Sequence, residues 1–205
     1  MKEENVIDKI KNRMQNSPKG TIYTNGDFLD LGNELTIRSA LSRLHRRKEI
    51  YRLIDGYYTI PFFVKTIEEY SYPSPIELAN KIAKNYAWKI CPFGDTALNQ
   101  MGLSTQVPAT YEFISDGPYR EIMYQGQLIK FRHTANRYIS NFSRPLALVI
   151  QSIKALGKEN ITKKHINKLS NYCLNNVNEN IIQDTKCVPA WIYEILKKIS
   201  EVMYG

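Results

Sequence analysis

Between Leu35 and Pro61 the chain reads LTIRSALSRLHRRKEIYRLIDGYYTIP, a basic amphipathic helix that runs directly into a tight hairpin. At about 100° per residue, Ile37, Ala40, Leu41 and Leu44 share one face, while Ser39, Ser42, Arg43 and Arg46 share the other. One face is built for a core and the other is basic. After Glu49, Ile50 to Leu53 and Tyr57 to Ile60 are short β-prone runs joined around Asp55-Gly56, a dipeptide suited to hairpin turns because Gly tolerates positive φ. Pro61 stops the second strand.

The residues upstream complete a pattern. Glu3 to Asn16 carry Val6, Ile7, Ile10 and Met14 at helical spacing, and Ser17-Pro18-Lys19-Gly20 ends that helix. Thr24 is an N-cap candidate for a short segment with Phe28 and Leu29, and Gly32-Asn33 supplies the turn before the basic helix. Ile22 and Tyr23 are candidates for a short strand beside the hairpin. Helix, turn, basic helix, hairpin is the order of a winged helix-turn-helix, whose second helix enters a major groove while the hairpin follows the backbone. From Thr36 to Arg52 the basic residues are Arg38, Arg43, Arg46, Arg47, Lys48 and Arg52, against the single acid Glu49. A charge run alone describes an ordinary solvated face; with the flanking helix and hairpin it points to DNA. The expected contact residues are Arg38, Ser39, Ser42, Arg43, Arg46, Arg47, Arg52 and Tyr57. His45, near the edge of the helix, is a further phosphate-contact candidate.

The formal net charge of +8 fits a polyanionic or an acidic partner. It is not concentrated in one region: residues 1–60 hold eleven basic and eight acidic side chains. No apolar run approaches the roughly 20 residues that span a bilayer, and MKEENVIDKI lacks a signal-peptide core. The expectation is a cytoplasmic protein without membrane contact. Cys91, Cys173 and Cys187 are widely spaced and form no CxxC pair, so they read as reduced thiols rather than a disulfide framework or zinc site.

Beyond Pro61, the two prolines of Ser71-Tyr72-Pro73-Ser74-Pro75 discourage helix before Ile76. The expected organisation is therefore a winged domain over 1–61, a linker over 62–74, and an α+β domain over 75–205 with a small antiparallel sheet and C-terminal helices. Ile76, Leu78, Ala79, Ile82, Ala83 and Tyr86 give a helix starting at Pro75. Asp95 to Met101 is a short helix stopped by Gly102, and Thr110 to Ser115, Tyr119 to Tyr124 and Gln127 to Thr134 predict a three-strand meander. Helices follow from Pro145 to Gly157, after Thr162, and after Pro189.

Two stretches together carry a family likeness. Ile54-Asp55-Gly56-Tyr57-Tyr58-Thr59-Ile60-Pro61 closes the N-terminal pattern of helix and hairpin, and Gly94-Asp95-Thr96-Ala97-Leu98-Asn99-Gln100-Met101-Gly102-Leu103-Ser104-Thr105-Gln106-Val107-Pro108 precedes a strand. In this order the chain resembles the AbiEi-type antitoxins of bacterial type IV toxin–antitoxin, or abortive infection, systems, over about residues 1–135. The resemblance implies a phage-defence role: a transcriptional repressor that binds its own promoter as double-stranded DNA, two or more protomers at a time, and whose C-terminal domain counteracts a nucleotidyltransferase-like toxin without an obligatory stable complex. Arg120, Lys130, Arg132 and Arg137 are then the candidate toxin-contact surface, beside their ordinary reading as solubilising charge.

No GxxxxGK[ST] or GxGxxG loop cradles phosphate, and His45, His133 and His165 stand apart with no HxH or HExxH arrangement. No catalytic residue, metal or cofactor is expected. Two alternatives stay open. Glu112, Asp116 and Glu121, with Lys130, loosely suggest a metal-dependent nuclease. A stand-alone winged-helix regulator with a ligand-sensing C-terminal domain is the other.

Overall fold

The computed structural model describes residues 5–134 and 141–204. It is a mixed α+β chain with two compact units, 1–81 and 82–205, the division falling within one helix.

In the first unit α1 (Val6–Gln15) packs on α2 (Glu34–Arg46). Between them a 3-10 turn, Asn25–Phe28, is closed by a capping box in which Thr24 and Asp27 satisfy each other's end groups. Asn33 caps α2 by accepting from the Thr36 amide at 2.9 Å. Lys48 ends it with φ of 59°, and the Glu49 amide reaches back to the Leu44 carbonyl at 3.0 Å. The apolar faces meet in a core of Ile10, Met14, Phe28, Ile37, Leu41, Leu44, Ile50 and Tyr58. Strands β1 (Tyr51–Ile54) and β2 (Tyr57–Thr59) are antiparallel, with a bulge between Arg52 and Ile54 and Gly56 at φ of 78° in the turn. Tyr23 bridges Tyr58 through two 2.8 Å hydrogen bonds, adding one residue of a third strand. The stretch read from the sequence as a linker contains a second hairpin, β3 (Phe62–Val64) with β4 (Glu69–Ser71). Alternation over three residues is too short a signal to find such strands in a sequence. Helix α3 (Pro75–Asn85) spans the division.

The second unit holds a four-stranded sheet ordered β5, β6, β8, β7, from Ile90–Pro92, Thr110–Ser115, Gln127–His133 and Arg120–Tyr124. The meander expectation is corrected here. The hairpin of β7 and β8 forms, through a two-residue turn with Gln125 and Gly126 both at positive φ. It is β8, however, that lies next to β6, and parallel to it. Residues 116–119 therefore cross from β6 to β7 over the end of β8. The reason is burial: Ile129 and Phe131 of β8 are fully buried, which suits an interior strand, while β7 exposes Glu121 and Met123 and suits an edge. Helix α4 (Asp95–Gln100) and helices α5 (Arg144–Leu156), α6 (Lys163–Asn176) and α7 (Ala190–Tyr204) supply the rest. Their core includes Ala97, Leu146, Val149, Ile153, Leu169, Ile192, Leu196 and Ile199.

The stretch that carried much of the family likeness is structural. Gly94 starts α4 at φ of 56° and Gly102 ends it at φ of 66°. Thr96 is buried and its hydroxyl accepts from the Glu112 amide at 2.8 Å, tying α4 to β6. No helix among the described residues is long and apolar enough to cross a membrane.

Candidate nucleic-acid interface

Helix α2 has one face sealed and the other open. Ile37, Leu41 and Leu44 are fully buried and Ala40 nearly so. At about 100° per residue, Leu35, Ser39, Ser42 and Arg46 form a line opposite them, with Arg43 beside it. All five are exposed. Over about 16 Å, at 1.5 Å per residue, this line is long enough to reach across the ~12 Å width of a major groove.

The cations of the helix and hairpin fall into two groups. Arg38 pairs with Glu34 at 3.0 Å, Arg47 with Glu49 at 3.9 Å, and Arg52 with Asp55. Glu49 is also held by Lys11 at 2.6 Å. The Lys11 hydrogen bond keeps the Glu49 carboxyl below its usual range, so this acid stays ionised beside the end of α2. Arg43 and Arg46, by contrast, have no ion-pair partner among the described residues. They are the side chains with guanidinium groups available for a bidentate contact to guanine or for a phosphate, and Ser39 and Ser42 can hydrogen-bond either.

Two expected contacts are corrected. Tyr57 is 5% exposed, because all three residues of β2 are buried, and it lies off this surface. His45 is half-buried, with Nδ1 3.4 Å from the Ile50 carbonyl and its ring edge-on to Tyr58, so it faces the hairpin. One contact candidate was missed: Leu35, 76% exposed, stands in line with Ser39 and Ser42. Its place four residues before Ser39 was the available signal, and its apolar end matches a thymine methyl.

In the second unit, Lys130 pairs with Glu121 at 2.9 Å and lies over the Tyr119 ring. Hydrogen bonds from Tyr119 and then Lys130 hold the Glu121 carboxyl below its usual range, and Tyr119 and then Glu121 raise the Lys130 ammonium. Arg132 is bound to Glu112 and lies over Phe93, and Arg120 lies over Tyr86 at 5.1 Å. Arg137 lies outside the described residues. The three acids weighed as a nuclease centre are each committed: Glu112 to Arg132, Glu121 to Lys130, and Asp116 to the Lys89 amide at 2.8 Å. Among the described residues no cluster of three His, Cys, Asp or Glu side chains could hold a metal.

No curated protein matches the chain. Residues 9–181, spanning both the helix-and-hairpin unit and the sheet, match a family of unknown function, DUF6088, and the chain belongs to that family.

Proposed function

We propose that residues 1–61 are a winged helix-turn-helix that binds DNA, with α2 in the major groove and the β1–β2 hairpin along the backbone. The observation that carries this is the exposed line of Leu35, Ser39, Ser42 and Arg46 with Arg43 beside it, two uncompensated guanidinium groups on a helix whose other face is sealed. Arg43→Ala and Arg46→Ala should each weaken binding of the full chain to the DNA upstream of its own gene, by about 1 to 3 kcal/mol where a base contact is lost. Both variants binding like wild type at matched salt would refute the groove assignment.

The wider proposal is a transcriptional autorepressor and antitoxin of a type IV system that opposes a nucleotidyltransferase-like toxin. It is supported by the likeness to AbiEi-type antitoxins, and by the second unit having a core of its own. Residues 75–205, which keep α3 whole, should relieve growth arrest when co-expressed with a nucleotidyltransferase encoded alongside, while residues 1–74 should bind DNA without protecting. Protection by the N-terminal part alone would overturn this division.

A further inference from the structure

The turn of α5 from Ile150 to Lys154 runs from the core to the surface. Ile150 is buried, whereas Lys154, one turn on and so on the same side of the helix, is exposed. Both line a cavity of about 260 Å³ between α5 and the start of α7. At about 30 Å³ per water, that volume holds roughly nine waters.

The wall is divided by depth. Buried Ile150 and Ile192, with half-buried Phe142 and Val188, make the inner part apolar. Asn141, Lys154 and Cys187 are exposed and mark the mouth. Among the described residues, the lining holds one cation, Lys154, and no acid. An apolar interior with a cation at its opening is complementary to a molecule with an apolar body and one anionic end. The body takes the burial, while a carboxylate at the mouth keeps part of its hydration and meets the ammonium.

We propose that this cavity binds a medium-chain carboxylate, its chain among Phe142, Ile150, Val188 and Ile192 and its carboxylate accepting a hydrogen bond from Lys154 Nζ. This goes beyond DNA binding and does not depend on it.

Octanoate is the probe, and 1-octanol, with the same chain and no charge, is its control. An apolar cavity without the cation would favour octanol, because a carboxylate is costlier to take out of water, so the sign of the preference decides. In titration calorimetry of the full chain at neutral pH, octanoate should bind saturably and more tightly than octanol, by roughly threefold to fivefold, within the range of an exposed ion pair. Lys154→Gln, a surface substitution that spares the core, should bind octanol as the wild type does and lose the preference for octanoate. Lys164→Gln, an equal loss of charge at an exposed position outside the lining, should keep it. Cys187 places the site. Cys91 and Cys173 are buried, and burial pushes their thiols up to about 12 and about 11, so iodoacetamide at neutral pH reports on Cys187. Octanoate should slow that alkylation with the affinity found by calorimetry. The proposal is overturned by no saturable binding, by octanol binding as tightly as octanoate, or by a preference that survives Lys154→Gln or is lost in Lys164→Gln. Alkylation of Cys187 unchanged at saturating octanoate would overturn it too.

Discussion

A methyl group at Gly117 would stand 2.3 Å from Trp88 Cδ2, closer than any non-bonded carbon pair tolerates. The backbone can pass there because residue 117 has no side chain, and the close pass lets residues 116–119 cross the end of β8. Trp88 is itself placed edge-on to Phe131 at 5.8 Å, and Phe131 stacks on Phe113. Gly117→Ala should therefore destabilise the second unit by about 1 to 3 kcal/mol. Urea unfolding followed by tryptophan fluorescence checks this, since Trp88 and Trp191 both belong to that unit. Tyr57→Phe is the contrasting case: because the ring is buried, the substitution should leave DNA affinity unchanged in a binding titration.

The 3-10 turn between α1 and α2 is held from several sides. Asp27 accepts from the Thr24 amide at 2.7 Å and from Lys81 at 2.7 Å, while Arg13 reaches the Asp27 carbonyl at 2.9 Å and pairs with Asp30. Burial pushes the Asp27 carboxyl up, but the hydrogen bonds from Lys81 and Thr24 outweigh it and leave the group below its ordinary 3.8. A depressed carboxylate binds its proton later in the folded state than in the unfolded one. Its contribution is thus complete above 3.8 and is lost as pH falls through the lower folded value. Thermal melts across the acid range should show the first unit losing stability there. Asp27→Asn should be less stable than wild type near neutral pH and should converge with it once Asp27 is protonated.

At the scale of the whole molecule, the net charge of +8 is distributed along the chain and not held by one region. Binding to DNA should weaken linearly in log–log plots against salt, as phosphate contacts release counterions. If Arg46 lies on a phosphate, Arg46→Ala should lower the slope by about one, with a similar loss on all sequences. If it reads a base, the slope should change less and discrimination between operator and random DNA should fall. Titrations at several salt concentrations separate the two outcomes.

Periodicity and turn chemistry are local, and what depended on them was legible from the residues alone. The face of α2 bearing Ile37, Leu41 and Leu44, the Asp55-Gly56 turn, the Gly102 stop and the starts of α5 and α6 all follow from neighbours within a few positions. The second hairpin at 62–71 was not legible, because three-residue strands carry almost no period. Long-range pairing was decided only in three dimensions. Putting β8 between β6 and β7 requires the fully buried Ile129 and Phe131 to compete for the interior against the charged edge of β7. At the candidate interface the acids that pair with Arg38, Arg47 and Arg52, namely Glu34, Glu49 and Asp55, lie two to four positions away and are local partners. They leave Arg43, Arg46 and Lys48 without an acid among the described residues, whereas the burial of Tyr57 and the Lys11–Glu49 pair needed the tertiary fold. Whether a side chain such as Tyr57 is sealed or open depends on groups brought close by tertiary contact, and no local pattern encodes that.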